Sequence, residues 1–195
     1  MSQFMHQSSK VMFTHHLKNL SAMLKAAAAD AKARGIDPPV ILNARLAPDM
    51  FPLIRQVQIA TDHAKGCCGR LAGVELPVFK DDETTFAQLQ ERIKRVQSFL
   101  KSLKASQFAG SEDRLIELTL PIGSIRFSGA DYLNGWALPN FYFHYSATYN
   151  ILRHNGLQLG KRDYLGIAPG MQMTGKIAKM MGGKATPKAK AKKKA

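Results

Sequence analysis

The feature that most constrains the fold is the spacing of large apolar residues, which recur three and four positions apart in four separate segments. Such spacing puts apolar side chains on one face of an α-helix, and that face has to be buried against other helices. The four segments therefore predict an all-α protein, an up-down four-helix bundle. The pattern is clearest in the third segment, where it follows a seven-residue repeat through Phe86, Leu89, Ile93, Val96, Leu100 and Leu103.

Glycine and proline residues mark where the first two predicted helices begin and end. The first helix runs from Phe4 to Ala33 and stops at Gly35, because glycine adopts the left-handed conformation that closes a helix. The second helix has Pro52 in its first turn, Asp49 as a candidate cap and Gly73 at its end. Its predicted inner face consists of Leu53, Val57, Ala60, Ala64, Cys67 and Leu71.

A small β-hairpin is predicted between the third and fourth helices. Residues 114–120 and 124–128 alternate apolar and polar side chains around a Pro-Ile-Gly turn. The fourth helix begins near Ala130 and ends before Gly156. Pro139 lies inside it, so the helix either kinks there or restarts with Pro139 in its first turn. Asp82 and Thr84 are the candidate caps of the third helix.

The positive charge of the chain is concentrated in its last residues. The formal net charge is +14, and residues 171–195 contain no acid. This segment cannot bury a core, so we predict one bundle domain at residues 1–168 and a flexible, disordered lysine-rich tail at residues 169–195. The tail either contacts nucleic acid non-specifically or only improves solubility. Its lysines are Lys176, Lys179, Lys184, Lys188, Lys190, Lys192, Lys193 and Lys194.

Cysteine usage and hydropathy predict a cytoplasmic protein. The two cysteines, Cys67 and Cys68, are adjacent and point in different directions on a helix, so we expect reduced, core-filling side chains. No apolar run approaches the roughly 18 residues of a membrane span, and the first residues lack the basic and apolar regions of a signal peptide. We therefore expect no membrane partner.

Polar residues beside apolar helix faces are the candidate pocket residues. His63 lies beside the apolar face of the second helix. Asn140 and His144 are four residues apart in the fourth helix, and Thr148 continues the same line, so the three stack along one face. Tyr149 belongs to an aromatic cluster and can offer its hydroxyl. These residues predict a pocket between the second and fourth helices.

The same pocket contains an incomplete set of transition-metal ligands. Two histidines on one helix and a third on its neighbour would hold zinc or nickel and leave one position open for water or substrate. Here His63 and His144 supply imidazoles, but Asn140 supplies only a neutral amide oxygen. Two hypotheses follow: a weakly bound divalent metal at these three residues, or a metal-free pocket in which they hydrogen-bond a small molecule.

Five sequence motifs together resemble an uncharacterised family of the DinB-like helical-bundle superfamily. The resemblance covers residues 3–166, which is nearly all of the predicted bundle. The motifs are RLAPDMFPL at 45–53, DHAKG at 62–66, LPNFYFH at 138–144, ILRHNG at 151–156 and GKRDYLG at 160–166.

The resemblance implies a homodimeric four-helix bundle and, in many superfamily members, a metal pocket. That pocket uses one histidine of the second helix, which His63 matches, and an H-x-x-x-H pair of the fourth helix. Asn140 and His144 stand at the pair, so this chain departs from the pattern at Asn140.

Relatives with known roles suggest what such a pocket does. They include thiol-dependent S-transferases and the mycothiol-dependent maleylpyruvate isomerase, in which the metal holds a thiolate nucleophile. The resemblance therefore implies a metal-dependent, thiol-transferase-like enzyme with Asp62 as a partner outside the ligand set. The alternative is a non-catalytic dimer that binds a small molecule or a partner protein in a metal-free pocket.

Overall fold

The computed structural model describes residues 2–180, and four long helices pack in it around one apolar core. Two of these helices contain a π-helical turn. Helix α1 comprises Ser2–His6, the π turn Gln7–Val11 and Met12–Ala33, and it is followed by α2 (Pro38–Leu42), α3 (Leu53–Ala72) and α4 (Phe86–Ser102). A 3-10 turn (Ala105–Phe108) then leads to the hairpin strands β1 (Leu115–Leu120) and β2 (Gly123–Ser128). The chain continues with α5 (Gly129–Asp131, the π turn Tyr132–Ala137 and Leu138–His154), α6 (Lys161–Leu165) and α7 (Gly175–Met180).

Helix α3 lies at the centre of the bundle. It packs against α5 and α4, and α1 packs against α4 and α6. A fully buried leucine contributes about 1.5–3 kcal/mol, so this face supplies much of the apolar free energy of folding. Both cysteines are free and buried on this helix, as predicted. The predicted inner face is confirmed, because no solvent reaches Leu53, Val57, Ala60, Ala64, Cys67 or Leu71.

The ends of the helices agree with the predicted glycines but not with the predicted caps. Gly35 and Gly73 have φ angles of 65° and 67°, the left-handed conformation expected of them. Asp49 does not cap α3, because Pro52 is the residue that precedes its first turn.

The cap of α4 is Thr85 rather than Asp82 or Thr84. The Thr85 hydroxyl accepts a hydrogen bond from the Gln88 backbone N–H at 3.2 Å, and Gln88 Oε1 accepts one from the Thr85 N–H at 3.0 Å. This reciprocal pair requires a Gln or Glu three residues after the cap. Thr85 has Gln88 at that position, which explains why the helix begins one residue later than Thr84 would allow.

The hairpin and the proline in the last long helix follow the sequence pattern closely. Strands β1 and β2 pair antiparallel, with Leu120 opposite Gly123. The π turn Tyr132–Ala137 widens α5, and a new α-helical segment then starts at Leu138 with Pro139 in its first turn. The backbone stays helical from Asp131 to Leu138, so α5 does not break here, and the π turn accommodates the N–H that Pro139 lacks.

The carboxyl-terminal segment starts inside the described part of the chain. Helix α7 contributes a fully buried Ala178, and Arg162 of α6 donates a hydrogen bond to the Met180 carbonyl at 2.7 Å. The predicted tail of residues 169–195 thus includes twelve described residues, 169–180, some of which contact the bundle. The remaining predicted tail, residues 181–195, lies outside the described residues. No helix within residues 2–180 has the length and apolar character needed to cross a membrane.

Candidate functional site

The structure places the predicted histidines of α3 and α5 side by side. The ring centroids of His63 and His144 are 6.0 Å apart, and the two ring planes are nearly parallel at 13°. His144 is buried, whereas His63 is partly open to solvent. The pairing arises because each histidine lies at the edge of an apolar helix face, and α3 and α5 pack through those faces.

A buried glutamine of α3 fixes which nitrogen of His144 carries the proton. Gln56 Nε2 donates to the Phe51 carbonyl at 2.9 Å, so Gln56 Oε1 is the acceptor that faces His144. Nδ1 of His144 lies 2.7 Å from that oxygen and must therefore be protonated. A neutral imidazole has only one N–H, so the Nε2 of His144 keeps a free lone pair.

Both imidazoles are held in the neutral form. Burial, together with smaller effects of the nearby His63 and Arg55, lowers the pKa of His144 to about 4. Burial also lowers the pKa of His63, where Asp62 opposes the shift and Arg70 adds to it. Two neutral imidazoles in contact can act as Lewis bases or hydrogen-bond partners at neutral pH.

The other predicted pocket residues make contacts within α5 or with α6. Asn140 Nδ2 donates to the Trp136 carbonyl at 2.8 Å, one turn earlier in α5, which leaves its amide oxygen as the free atom. The Thr148 hydroxyl donates to the His144 carbonyl at 2.9 Å and is buried in its own helix. Tyr149 is not brought to the histidines: its ring packs on Tyr164 of α6, at 5.6 Å between centroids.

Asp62, the neighbour of His63, is partly exposed and belongs to a network of ion pairs around a buried arginine. Its two carboxylate oxygens lie 2.8 Å from Lys65 Nζ and 2.8 Å from Arg92 Nη2. Arg92 of α4 has no exposed side-chain surface and also pairs with Asp81 and Glu83. Burial alone would lower the pKa of Arg92, but the three carboxylates raise it, so the guanidinium stays charged. The network fastens the loop between α3 and α4 beside the histidine site.

A small cavity opens beside His63. Its volume is about 260 Å³, and it lies between α3, the π turn of α5 and strand β1. Polar and apolar groups both face it, which suits an amphipathic small molecule. The lining residues are Asp62, His63, Arg70, Leu118, Thr119, Tyr132 and Trp136.

Two residues of the site were not singled out from the sequence, although a signal for them existed. Gln56 lies three residues after the buried Leu53, and Arg92 lies three residues after the buried Leu89. Both polar residues therefore occupy core positions of their helices, with Gln56 1% exposed and Arg92 1% exposed. A polar side chain at a core position needs a buried partner, so such positions in the sequence indicate a buried polar contact.

Comparison with known proteins relates the chain to a family and to a solved structure of similar fold. The family model described as "Domain of unknown function (DUF1993)" matches residues 5–165, from α1 to the end of α6. The crystal structure of a DinB family member protein from Shewanella denitrificans is similar, with a TM-score of 0.81 and 39% sequence identity. That similarity covers 88% of this chain and 97% of that chain. A comparison with curated proteins gave no match.

Proposed function

The chain belongs to the DUF1993 family of DinB-like proteins, and from that premise we propose that it binds a divalent transition metal, zinc or nickel, between α3 and α5. His63 and His144 are the proposed imidazole ligands. The observation that carries the proposal is the pair of neutral imidazoles in contact, one of which has its tautomer set by Gln56. The proposed activity is that of a metal-dependent, thiol-transferase-like enzyme.

The hydrogen bond between His144 and Gln56 supports a metal at this site. Histidines that bind metals usually donate their second N–H to a carbonyl or carboxylate oxygen, which orients the ring and raises its basicity. His144 does this through Nδ1 to Gln56 Oε1 at 2.7 Å. The free lone pair of Nε2 is then the atom that would bind the ion, and its lowered pKa means that few protons compete for it at neutral pH.

The third ligand of the proposed site is not an imidazole. Among residues 2–180, no three His, Cys, Asp or Glu side chains come together as a metal-binding group. The Asn140 amide oxygen is the remaining candidate donor, because its nitrogen is already bonded to the Trp136 carbonyl. A neutral oxygen binds zinc or nickel less strongly than an imidazole does, so we propose a low-affinity site.

A divalent metal bound there would lower the pKa of a coordinated water or thiol and so supply a nucleophile. The residues of this chain would prepare the site in other ways. Gln56 holds the ring of His144 in place, and the ion network through Asp62 holds the turn of α3 that carries His63. Trp136 and Leu118 provide the apolar wall of the cavity beside His63.

A second candidate function rests on the incomplete donor set. We propose as the alternative a non-catalytic protein that binds a small molecule or a partner protein in the same pocket without a metal. The hydrogen bond from Asn140 to the Trp136 carbonyl favours it, since that bond gives Asn140 a role in the helix that needs no ion. In this case His63 and His144 act only as hydrogen-bond partners of the ligand.

Zinc titration of protein purified without a histidine tag separates the two functions. We expect one weak zinc site by calorimetry and zinc or nickel in elemental analysis of the purified protein. His63→Ala and His144→Asn should each weaken the site by at least about tenfold. His144→Asn is informative because an asparagine amide can replace the Nδ1 donor to Gln56 but offers nothing in place of Nε2.

Two further variants complete this test. Asn140→His should tighten zinc binding, because it supplies a third imidazole one turn before His144. His154→Ala removes an exposed histidine at the end of α5 and should leave the affinity unchanged. Equal zinc binding by the parent, His63→Ala and His144→Asn would reject the metal site and favour the metal-free pocket.

The proposed partners concern surfaces away from this pocket. We propose a homodimer, as the resemblance implies, which sedimentation velocity at several protein concentrations would test. We also propose that the lysine tail contacts nucleic acid non-specifically, and six of its lysines lie in residues 181–195. Such binding should weaken steeply as salt rises and vanish when these residues are deleted. The alternative is that the tail only improves solubility, and a cytoplasmic location stays a prediction.

A further inference from the structure

The cavity beside His63 contains a cation that is not used by the ion network. Arg70 lies on α3, two turns after His63, and lines the same cavity. Within residues 2–180, the guanidinium of Arg70 has no carboxylate at ion-pair distance, although three other cations of this region do. Those three are Arg55, which pairs with Asp81, and Lys65 and Arg92, which both pair with Asp62.

The carboxylate that lines the same cavity as Arg70 already pairs with other cations. Asp62 also lines the cavity, but one of its oxygens contacts Lys65 and the other contacts Arg92. Arg92 has no exposed side-chain surface, so releasing Asp62 from it would remove one of the three carboxylates that neutralise this buried charge. Arg70 is therefore a partly buried cation facing a cavity whose own acid cannot neutralise it.

The backbone of α3 makes room for this arrangement. A Cβ atom on Gly66 would lie 2.5 Å from the Arg70 Nη1 atom, which is closer than atoms can approach. The guanidinium therefore lies back along the helix, over Gly66 and towards His63. Any side chain at position 66 would push it away from this place.

A tyrosine supplies a second donor beside the guanidinium. Arg70 Nη1 donates to the Tyr132 hydroxyl oxygen at 3.1 Å. Tyr132 is almost fully buried, and burial raises its pKa to about 12, so the hydroxyl keeps its proton. With its oxygen accepting from Arg70, the O–H of Tyr132 is free to donate to a ligand.

We propose that Arg70 and Tyr132 form an anion subsite that binds the carboxylate of a small organic acid, with the apolar part of the acid against Trp136 and Leu118. A carboxylate matches the planar fork of an arginine and accepts the additional hydroxyl donor. The cavity of about 260 Å³ corresponds to roughly eight or nine water molecules at about 30 Å³ each, which suits a compact acid.

This inference names the substrate class of the proposed histidine site and rests on that function for its place in catalysis. Binding of the carboxylate does not need a metal, so an experiment can reject the anion subsite and the metal site independently. A carboxylate at Arg70 would sit beside His63, and its apolar part would fill the space between α3 and the hairpin. The substrate would thus be oriented by its acid group next to His63, the imidazole that lines the cavity.

Trp136 makes the proposal directly measurable. It is the single tryptophan of the chain and it lines the cavity, so its fluorescence should report occupancy. The probes are benzoate, its neutral analogue benzamide and inorganic phosphate, each titrated into metal-free protein in the presence of a chelator. We expect saturable quenching by benzoate and at least about tenfold weaker binding of benzamide, because only the anion forms charge-assisted hydrogen bonds.

Variants of the subsite define the expected result. Arg70→Gln should weaken benzoate by at least about tenfold and bring it level with benzamide, whereas Arg70→Lys should retain part of the preference. Tyr132→Phe should cost several-fold in benzoate affinity while keeping the buried ring. Lys94→Gln removes one exposed positive charge from α4 and should change nothing. Circular dichroism of each variant verifies that the bundle remains folded.

Several outcomes would overturn the proposal. They are an absence of saturable benzoate binding, equal affinity for benzamide, and an unchanged benzoate affinity in folded Arg70→Gln. Phosphate that displaces benzoate with higher affinity would show that the ligand class is wrong. Zinc binding retained by Arg70→Gln, alongside a failed benzoate titration, would reject the subsite and leave the metal site standing. Benzoate binding that survives in a His63→Ala variant unable to bind zinc would support the subsite alone.

Discussion

Arg92 Nη2 lies 2.8 Å from Asp62 Oδ2, and this buried ion pair joins α4 to the residue directly before His63. The same guanidinium contacts Asp81 at 2.7 Å and Glu83 at 3.1 Å, in the loop that connects α3 to α4. A single buried arginine therefore fixes both the loop and the helical turn that carries the candidate site. Its removal leaves three carboxylates without their common partner.

Replacing this arginine should destabilise the bundle strongly. Arg92→Met keeps much of the side-chain volume but leaves only Lys65 and Arg55 to neutralise the three carboxylates, which costs about 3 kcal/mol. For a chain of this size we expect the thermal midpoint to fall by roughly 10 °C or more. Differential scanning calorimetry measures the change.

An adjacent arginine provides the control for this experiment. The Cζ atom of Arg95 lies 4.3 Å from the centre of the Phe79 ring, and that of Arg92 lies 5.0 Å from it. Arg95 is exposed, however, and takes no part in the ion network. Arg95→Met should cost less than about 1 kcal/mol. Similar losses for the two variants would mean that the contacts with Phe79, and not the ion pairs, explain the effect.

The acceptor of the His144 N–H should control the basicity of this imidazole. Gln56→Glu places a carboxylate beside Nδ1, so the pKa of His144 should rise from about 4, and zinc affinity should increase by roughly tenfold. Gln56→Leu removes the acceptor and should weaken zinc binding by a similar factor. Proton NMR titration of His144 and zinc calorimetry measure the two effects. If both variants shift zinc affinity in the same direction, the assigned tautomer is wrong.

Acid should destabilise the protein through its buried histidines. Burial lowers the pKa of both His144 and His16 to about 4, with the nearby His15 adding to the shift at His16. The unfolded chain, with histidine pKa values near 6.5, binds more protons than the folded chain between these limits. The contribution of these histidines to the free energy of unfolding is therefore fully present above about pH 6.5. It is lost as the pH falls towards 4, and the loss is about 3 kcal/mol or less per histidine.

Urea unfolding at several pH values measures this loss. His16→Asn should flatten the dependence of the unfolding free energy on pH between about 6.5 and 4, because one buried titrating group is gone. Replacing the exposed His154 by asparagine should leave the slope of the parent protein. A free energy of unfolding that is constant over this range would contradict the neutral, buried state of these histidines.

The contribution of the carboxyl-terminal segment should depend on where the chain is cut. Deleting residues 181–195 should leave the thermal midpoint unchanged, because this segment has few large apolar side chains to bury and no acid to pair with its lysines. Deleting residues 171–195 also removes the buried Ala178 and the carbonyl of Met180 that Arg162 contacts. We expect that deletion to lower the midpoint by roughly five degrees. Equal midpoints for both truncations would show that α7 does not stabilise the bundle.

The helices and the histidine pair were predictable because both depend on periodicity within single helices. The spacing of apolar residues from Leu53 to Leu71 was sufficient to predict the inner face of α3, and His63 and His144 each lie beside such a face. The partners of polar core residues were not predictable in the same way. Whether Gln56 faces His144, or Arg92 faces Asp62, depends on the register between two packed helices, which periodicity within either helix does not determine.

Residue type alone also did not predict the helix caps or the position of Tyr149. Asp82, Thr84 and Thr85 all suit a helix start by residue type, and the reciprocal bond with Gln88 selects Thr85. Tyr149 was grouped with the pocket because it is aromatic and carries a hydroxyl. Its ring instead packs on Tyr164 of α6, a short helix that the apolar pattern did not predict.

X-ray absorption at the zinc edge tests the central proposal most directly, because it counts the imidazoles bound to the ion. Zinc-loaded parent protein should show two imidazole ligands, supplied by His63 and His144, with oxygen donors completing the site. The Asn140→His variant should show three. A spectrum with no imidazole in the parent protein, or the same imidazole number in the parent and in Asn140→His, would contradict a metal site built on these residues.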